Sequence, residues 1–147
     1  MEQMYQTYRE VADFRLIYIR EAHAADGARP VEYAKELGIK EHRTLEDRCA
    51  TAQSLLKNNA LTIPCLIDNM QDQVNQAYSA WPDRVFVIRT DGRLAIVARP
   101  GPQGFAPALR ETEQWLSEWK RTGQEPELSE DAADAGRPRH ITEDRSQ

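Results

Sequence analysis

Apolar residues recur along the body of the chain in two spacings, one typical of helices and one typical of buried strands. Near the N-terminus, an amphipathic helix is predicted by apolar residues three or four positions apart: Met4, Tyr5, Tyr8 and Val11. The next apolar stretch, residues 14–19, is short and almost continuous, which is typical of a strand buried on both faces. The pattern therefore predicts a helix followed by a strand.

A second helix and a second strand follow a polar stretch that we interpret as loop up to about Glu41. Thr44 and Asp47 have the spacing of a capping box, in which each side chain bonds the other residue's backbone amide. The predicted inward face of this helix consists of Leu45, Cys49, Ala52 and Leu56. The second strand, residues 61–67, contains Pro64, which cannot donate to a ladder, so we expect that strand at a sheet edge.

A short helix comes next, and Asp68 or Asn69 is expected to cap it. The residues of this helix that we expect to face the core are Val74, Ala77 and Tyr78. Two further strands, residues 84–89 and 93–98, flank Thr90-Asp91-Gly92, and Asp-Gly is typical of the tight turn of a hairpin.

The last predicted helix begins at Pro107, because proline fits the first turn of a helix. Its predicted core-facing residues are Leu109, Thr112, Leu116 and Trp119. A hairpin followed by a packing helix corresponds to the C-terminal half of a thioredoxin-type domain, and the alternation before it supplies most of the N-terminal half. We therefore predict a mixed α/β, three-layer, thioredoxin-like fold over residues 1–121.

One strand of that fold is expected to be missing from this chain. A right-handed β-α-β unit requires a strand before its helix, and here the helix begins almost at Met1. Buried backbone groups without partners cost about 1–3 kcal/mol each, so a gap in a central sheet would remove much of a domain's stability. We expect the chain to fold poorly alone, or to close the gap by re-pairing or by forming a homodimer.

Charge and composition narrow the classes of partner. Residues 122–147 contain seven acidic residues, three arginines and little apolar bulk, which predicts a disordered acidic tail. A net charge of −5 argues against nucleic acid as a partner, and no apolar run approaches the roughly 20 residues that cross a bilayer. Two cysteines without a framework spacing favour a reducing, cytoplasmic location, and no metal-ligand spacing is present.

Five short segments carry a resemblance to a known family. They occur in this order: Ile17-Tyr18-Ile19-Arg20-Glu21-Ala22-His23, His42-Arg43-Thr44-Leu45-Glu46-Asp47-Arg48, Asp68-Asn69-Met70, Pro82-Asp83-Arg84 and Pro100-Gly101-Pro102. Over residues 1–120 the chain resembles the iodothyronine deiodinase family, in its microbial deiodinase-like branch. The resemblance implies a thioredoxin-like fold and reductive removal of iodine from an aromatic ring, or related thiol and selenol redox chemistry.

The resemblance also implies a selenocysteine or cysteine nucleophile after the first strand, at a position upstream of Met1. We expect this chain to be inactive as given, with a start site placed too late as the favoured explanation. A complete enzyme is expected to act on a small aromatic or peroxide-type substrate with an external thiol reductant and no other cofactor. Two alternatives are a non-catalytic thioredoxin-like binding module and a fragment of a peroxiredoxin-like thiol peroxidase.

Five residues are candidates for the site. The resemblance places His23 near the reactive atom, where it could transfer a proton or hold substrate, and Glu21 could orient His23. His42 precedes the Thr44 cap, where a helix N-terminus lowers the pKa of an imidazole and favours a neutral donor to substrate, and the resemblance supports that role. Asp83 and Arg84 begin a strand beside the expected groove, and Arg84 could bind a carboxylate. Each has an alternative structural interpretation: His23 as a loop histidine bonded to backbone, His42 and Glu21 as solvated residues, and Asp83 with Arg84 as a strand-end ion pair.

The two cysteines are weaker candidates. Cys49 lies on the apolar face of a helix and is interpreted as a buried, inert thiol. Cys65 could be a resolving thiol in a complete enzyme, but the structural interpretation is preferred.

Overall fold

The computed structural model describes residues 1–127, which form a mixed α/β structure. Its elements in chain order are α1 (Glu2–Tyr8), β1 (Leu16–Tyr18), α2 (Glu32–Glu36), α3 (Leu45–Asn58), β2 (Cys65–Ile67), α4 (Gln73–Tyr78), β3 (Phe86–Ile88), β4 (Leu94–Val97) and α5 (Pro102–Thr122). The α/β class and the element order agree with the prediction, apart from α2, which lies in the stretch interpreted as loop. No helix within residues 1–127 is long and apolar enough to cross a bilayer.

The four strands form two separate pairs. β1 pairs with β2 in parallel, and β3 pairs with β4 in antiparallel, with a register irregularity between Val87 and Ile88. Each strand is shorter than its predicted range, because backbone pairing covers only three or four residues. The hairpin prediction is confirmed, and Gly92 takes the positive φ of 83° that its turn requires.

The first strand is not buried on both faces, which corrects the prediction. Ile17 and Leu66 are register partners, yet they are 37% and 53% exposed. Their neighbours Tyr18 and Cys65 are half-buried, so β1 and β2 alternate like strands covered on one face only. Within residues 1–127, a continuous apolar run has produced a sheet with one apolar face accessible.

Helix α5 supports the core of the described chain. One buried cluster joins it to the hairpin: Ala95, Ile96, Ala98 and Ala108. A second joins it to α1: Met4, Tyr8 and Leu116. Thr112 and Leu116 face the core as predicted, and so do Met4 and Tyr8 of α1.

Helix α5 begins at Pro102 rather than at Pro107, which lies inside the helix. Gly104 explains how the first turn is packed, because a Cβ there would lie 1.9 Å from the carbonyl oxygen of Arg99. Only glycine allows the helix to approach the preceding loop so closely. The prediction was wrong because either proline suits a first turn.

The capping box that begins α3 is confirmed. The Asp47 amide donates to Thr44 Oγ1 at 3.1 Å, and the Thr44 amide donates to Asp47 Oδ2 at 2.9 Å. The predicted inward face is only partly correct, since Ala52 is buried but Leu45 is 46% exposed. Arg48 is buried instead, because its guanidinium bonds the loop after β2.

Asp68 and Asn69, which were predicted to cap α4, bond its first amides with their side chains, although the residue at the N-cap position is Asp72. The Asp68 carboxylate accepts from the amides of Val74 and Asn75 at 3.0 and 2.9 Å, and Asn69 Oδ1 accepts from Gln73 at 3.2 Å. These bonds satisfy amides that have no partner inside the helix.

The predicted inward face of α4 is wrong in two positions. Ala77 and Tyr78 are exposed, and Asn75 is the buried residue. Tyr78 nevertheless packs edge-on against Phe86, with ring centroids 5.0 Å apart.

The segment after α5 returns to the hairpin. Glu125 accepts hydrogen bonds from the amide and the hydroxyl of Thr90 at 3.0 and 2.9 Å, and it lies 3.3 Å from Arg89. The first residues of the predicted tail therefore contact the body. The prediction of disorder for the rest of the tail falls on residues 128–147, outside the described residues.

Candidate functional site

The candidate site lies where β1 and β2 end and α3 begins. Because β1 and β2 are parallel, their carboxyl ends meet at one edge of the sheet, and such edges are common positions for ligand sites. Tyr18 is the last residue of β1, Glu21 lies in the loop after it, and Asp68 directly follows β2. His42 precedes the Thr44 cap of α3 and packs beside Tyr18, with ring centroids 5.8 Å apart.

Tyr18 and Glu21 are joined directly, because the Tyr18 hydroxyl donates a hydrogen bond to Glu21 Oε1. Burial raises the pKa of the Tyr18 hydroxyl far above its usual range, and the bond to the Glu21 carboxylate raises it further. The phenol therefore keeps its proton at neutral pH.

His42 is held in its neutral form. Burial lowers the pKa of its imidazole, the Arg48 charge lowers it further, and the carboxylates of Glu21 and Asp47 oppose this shift. Both ring nitrogens are buried, and neither has a hydrogen-bond partner within residues 1–127. A neutral imidazole has one N–H donor and one acceptor, so this ring is equipped to bind a group with both capacities.

Arg48 belongs to the same region, although the sequence patterns did not identify it as a site residue. It is 2% exposed, and its Nη1 donates to the carbonyl oxygens of Asp68 and Asn69 at 3.1 and 2.7 Å. Its burial depends on carbonyl groups that are distant in the sequence, so the spacing of residues within the helix could not predict it.

His23 stands apart from this cluster. Its side chain is exposed, and Nδ1 lies 2.9 Å from the carbonyl oxygen of Arg29, so Nδ1 donates its proton to that carbonyl. The structure thus gives His23 the backbone bond of a loop histidine. Glu21 is bonded to Tyr18 rather than to His23.

Asp83 and Arg84 lie just before β3, which begins at Phe86 in the other sheet. Arg84 Nε donates to the Ala98 carbonyl at 2.8 Å, and its Nη1 donates to the carbonyls of Tyr78 and Ser79 at 3.1 and 3.0 Å. These bonds tie the strand to α4 and β4, and they occupy the donors that a bidentate carboxylate clamp would use. The Asp83 carbonyl accepts from the Gly101 amide at 3.1 Å.

The two cysteines have the features of structural thiols. Both are half-buried and free, and burial raises the pKa of Cys65 while neighbouring Cys49 raises it slightly further. A raised pKa lowers the thiolate fraction that nucleophilic attack requires. Within residues 1–127 there is no group of three or more His, Cys, Asp or Glu side chains that could hold a metal ion.

Comparison of the sequence with known proteins identifies the family of this chain. The sequence model of iodothyronine deiodinase matches residues 1–120. This chain belongs to the iodothyronine deiodinase family. The Tyr18–Glu21–His42 cluster and the hairpin both lie inside the matched range.

Individual deiodinases are similar to this chain over most of its length. Type II iodothyronine deiodinase of Rattus norvegicus is 37% identical over 117 residues, which cover 78% of this chain and 43% of the relative. Type II iodothyronine deiodinase of Homo sapiens is 37% identical over 114 residues, which cover 76% of this chain and 41% of the relative. Thyroxine 5-deiodinase of Sparus aurata is 34% identical over 116 residues, which cover 77% of this chain and 40% of the relative. The chain thus spans about two fifths of the length of these relatives.

Proposed function

We propose that this chain carries the substrate-facing side of a thiol- or selenol-dependent reductive dehalogenase that acts on an iodinated aromatic ring. The observation that supports this function best is the cluster of Tyr18, Glu21 and His42 at the carboxyl edge of the parallel strands. It combines a phenol that keeps its proton, a carboxylate bonded to that phenol, and a neutral imidazole with free capacity.

The proposed reaction replaces an aryl C–I bond by a C–H bond. Iodide leaves, the ring carbon gains a proton, and two thiols, or a selenol and a thiol, supply two electrons and become a disulfide or selenenyl sulfide. The reaction therefore needs a proton held near the ring and a group that holds the ring in place. Acid–base assistance of this kind contributes about 10²–10⁴-fold to a rate.

The residues of the cluster suit these two needs. Tyr18 holds a proton at its hydroxyl, and Glu21 accepts the bond that orients it. His42 is proposed to bind the phenol oxygen of the substrate, since a neutral imidazole pairs with a hydroxyl without a net charge in a buried site. His23, with Nε2 free in an exposed loop, is proposed to contact substrate from the solvent side.

The nucleophile is proposed to come from a segment outside the described residues. In this proposal a strand lies between the two sheets and completes a thioredoxin-like fold, with the selenocysteine or cysteine after it. Two observations support a covering segment: each of the four strands has only one strand partner within residues 1–127, and Ile17 and Leu66 present an exposed apolar pair. A parallel sheet normally has both faces covered.

The remaining partners are also proposals. An external thiol would regenerate the nucleophile in a reducing, cytoplasmic setting. A homodimer is a second way to cover Ile17 and Leu66, and size-exclusion chromatography with light scattering distinguishes the dimer from the monomer.

The peroxidase alternative likewise takes its reactive cysteine from a segment outside the described residues, because Cys49 and Cys65 are half-buried and burial raises the pKa of Cys65. It differs from the dehalogenase in its substrate, so peroxide consumption without iodide release would favour it. The binding-module alternative would use the same edge without chemistry, and the following experiment separates it from the dehalogenase.

Iodide release is measured with the protein expressed from its own gene in its source organism, an iodinated phenol and a dithiol reductant. Glu21→Gln is expected to lower the rate by at least about 100-fold, because the amide no longer accepts the Tyr18 bond as a carboxylate does. Glu10→Gln, an exposed side chain paired only with Arg9, is the control and is expected to leave the rate unchanged. No iodide release from the unaltered protein would reject the dehalogenase function, and equal rates in the two variants would reject the role of the cluster.

A further inference from the structure

The candidate residues lie on two sheets that are not joined by strand pairing within residues 1–127. Glu21 and His42 lie at the end of the β1–β2 pair, whereas Asp83 and Arg84 lie at the start of the β3–β4 pair. Contacts other than strand pairing therefore set the distance between the two halves of the site, and the bonds of Arg84 to the end of α4 are among them.

Asp72 is placed to make another such contact. It is the residue before α4, and it has the left-handed backbone conformation, with φ 54° and ψ 40°, that side-chain-bearing residues seldom adopt. Its carboxylate is only 18% exposed and lies between two arginines, with Oδ1 at 3.0 Å from Arg48 Nη1 and Oδ2 at 3.8 Å from Arg20 Nε.

Arg48 connects Asp72 to the first half of the site. Its side chain is 3% exposed, and Nη1 also donates to the carbonyls of Asp68 and Asn69. This contact is an ion pair, and Asp72 Oδ1 has no hydrogen-bond partner within residues 1–127. Arg48 lies in α3, the helix whose first turn follows His42.

Arg20 connects Asp72 to the second half of the site. It follows β1 directly before Glu21, and its guanidinium carbon lies 5.6 Å from the centre of the Trp81 ring. A cation at this distance from an indole face is attracted to it. Trp81 is two residues before Asp83, so the contact reaches the start of β3.

We propose that Asp72 is a positioning residue that couples the two halves of the site through the sequence of contacts Arg48–Asp72–Arg20–Trp81. The proposal rests on the proposed function only for the role of the site residues. The coupling itself is a property of the folded chain. Asp72 does not touch substrate in this proposal. It neutralises two arginines at once and thereby holds α3, the end of β1 and the approach to β3 in one arrangement.

Asp72→Asn is the informative variant, because asparagine also tolerates the left-handed conformation and has nearly the same shape. The substitution removes the charge that both arginines share and leaves the backbone requirement satisfied. Asp13→Asn is the matched control, since Asp13 is an exposed aspartate that lies 3.8 Å from Arg15.

The readouts are the ¹⁹F resonances of the chain labelled with 5-fluorotryptophan and the imidazole proton resonances of His42. In Asp72→Asn, both the Trp81 and the His42 resonances are expected to shift. Those of Trp115 and Trp119, which pack against each other on α5, should stay in place and report an intact fold. Asp13→Asn should shift none of these signals.

Arg20→Gln tests the order of the contacts. It should shift the Trp81 resonance and leave His42 unchanged, because the Arg48–Asp72 pair remains. Unchanged Trp81 or His42 resonances in Asp72→Asn, with Trp115 and Trp119 in place, would overturn the coupling. Neither measurement depends on catalysis, so a protein that fails to release iodide can still confirm or overturn it.

Discussion

The Tyr18 hydroxyl donates a hydrogen bond to the Glu21 carboxylate, three residues further along the chain at the end of β1. The bond is partly buried, and it links a strand to the loop that follows it. It holds Glu21 against the last residue of β1.

Tyr18→Phe is expected to lower the free energy of unfolding by about 1–3 kcal/mol, because the carboxylate loses its donor while the ring still packs beside His42. Urea denaturation measures the change. Tyr5→Phe, in a ring that packs edge-on against Phe14, is the control and should change stability less. Equal losses in the two variants would contradict the importance of the Tyr18–Glu21 bond.

His42 should make stability depend on pH. Its folded-state pKa is lower than the ordinary value of 6.5, so the unfolded state binds more protons in the interval between the two values. Stability is therefore fully present above about pH 6.5 and falls as the pH decreases toward the folded-state pKa. Urea midpoints measured between about pH 5 and 8 should show this loss, and His42→Asn should flatten it. A His42 resonance that titrates at or above 6.5 would contradict the account.

Gly104→Ala should destabilise the protein although alanine favours helices. In an open helix this substitution gains up to about 1 kcal/mol. Here the new Cβ would lie 1.9 Å from the Arg99 carbonyl oxygen, so we expect a loss of about 1–3 kcal/mol or more. Thermal unfolding gives the sign, and Gln103→Ala, at an exposed position in the same turn, is the control. A stabilised Gly104→Ala variant would show that the loop and the helix do not approach so closely.

The contact between Glu125 and the hairpin should protect the Thr90 amide from exchange with solvent. Glu125→Ala removes the acceptor of that amide and one partner of Arg89, so amide hydrogen exchange at Thr90 should become faster. Glu127→Ala, an exposed residue two positions further, is the control. An unchanged exchange rate in Glu125→Ala would mean that residues after α5 do not hold the hairpin.

Local chemistry explains what could be predicted from the sequence. Three predicted features depend on residues only a few positions apart, and all three are present. They are the capping box of Thr44 and Asp47, the Asp91-Gly92 turn, and the bonds of Asp68 and Asn69 to the first turn of α4. Short helix α2 was missed, because five residues are too few to show a periodic pattern.

Tertiary contacts explain what could not be predicted. The burial of Arg48 depends on carbonyl groups 20 and 21 residues away. Arg84 is likewise held by a hydrogen bond from its Nε to the Ala98 carbonyl across the hairpin. The hydrogen-bond partner of Glu21 also differs from the prediction, since Glu21 accepts from Tyr18 and does not orient His23. Resemblance identified His42, but its burial required the structure.

The most direct test of the proposed chemistry compares two oxidants for the protein expressed in its source organism. The purified protein is given a dithiol and either an iodinated phenol or hydrogen peroxide, and iodide release and peroxide consumption are followed separately. The dehalogenase account predicts iodide release that depends on the dithiol and on Glu21. Peroxide consumption without iodide release, or no turnover of either compound, would contradict it.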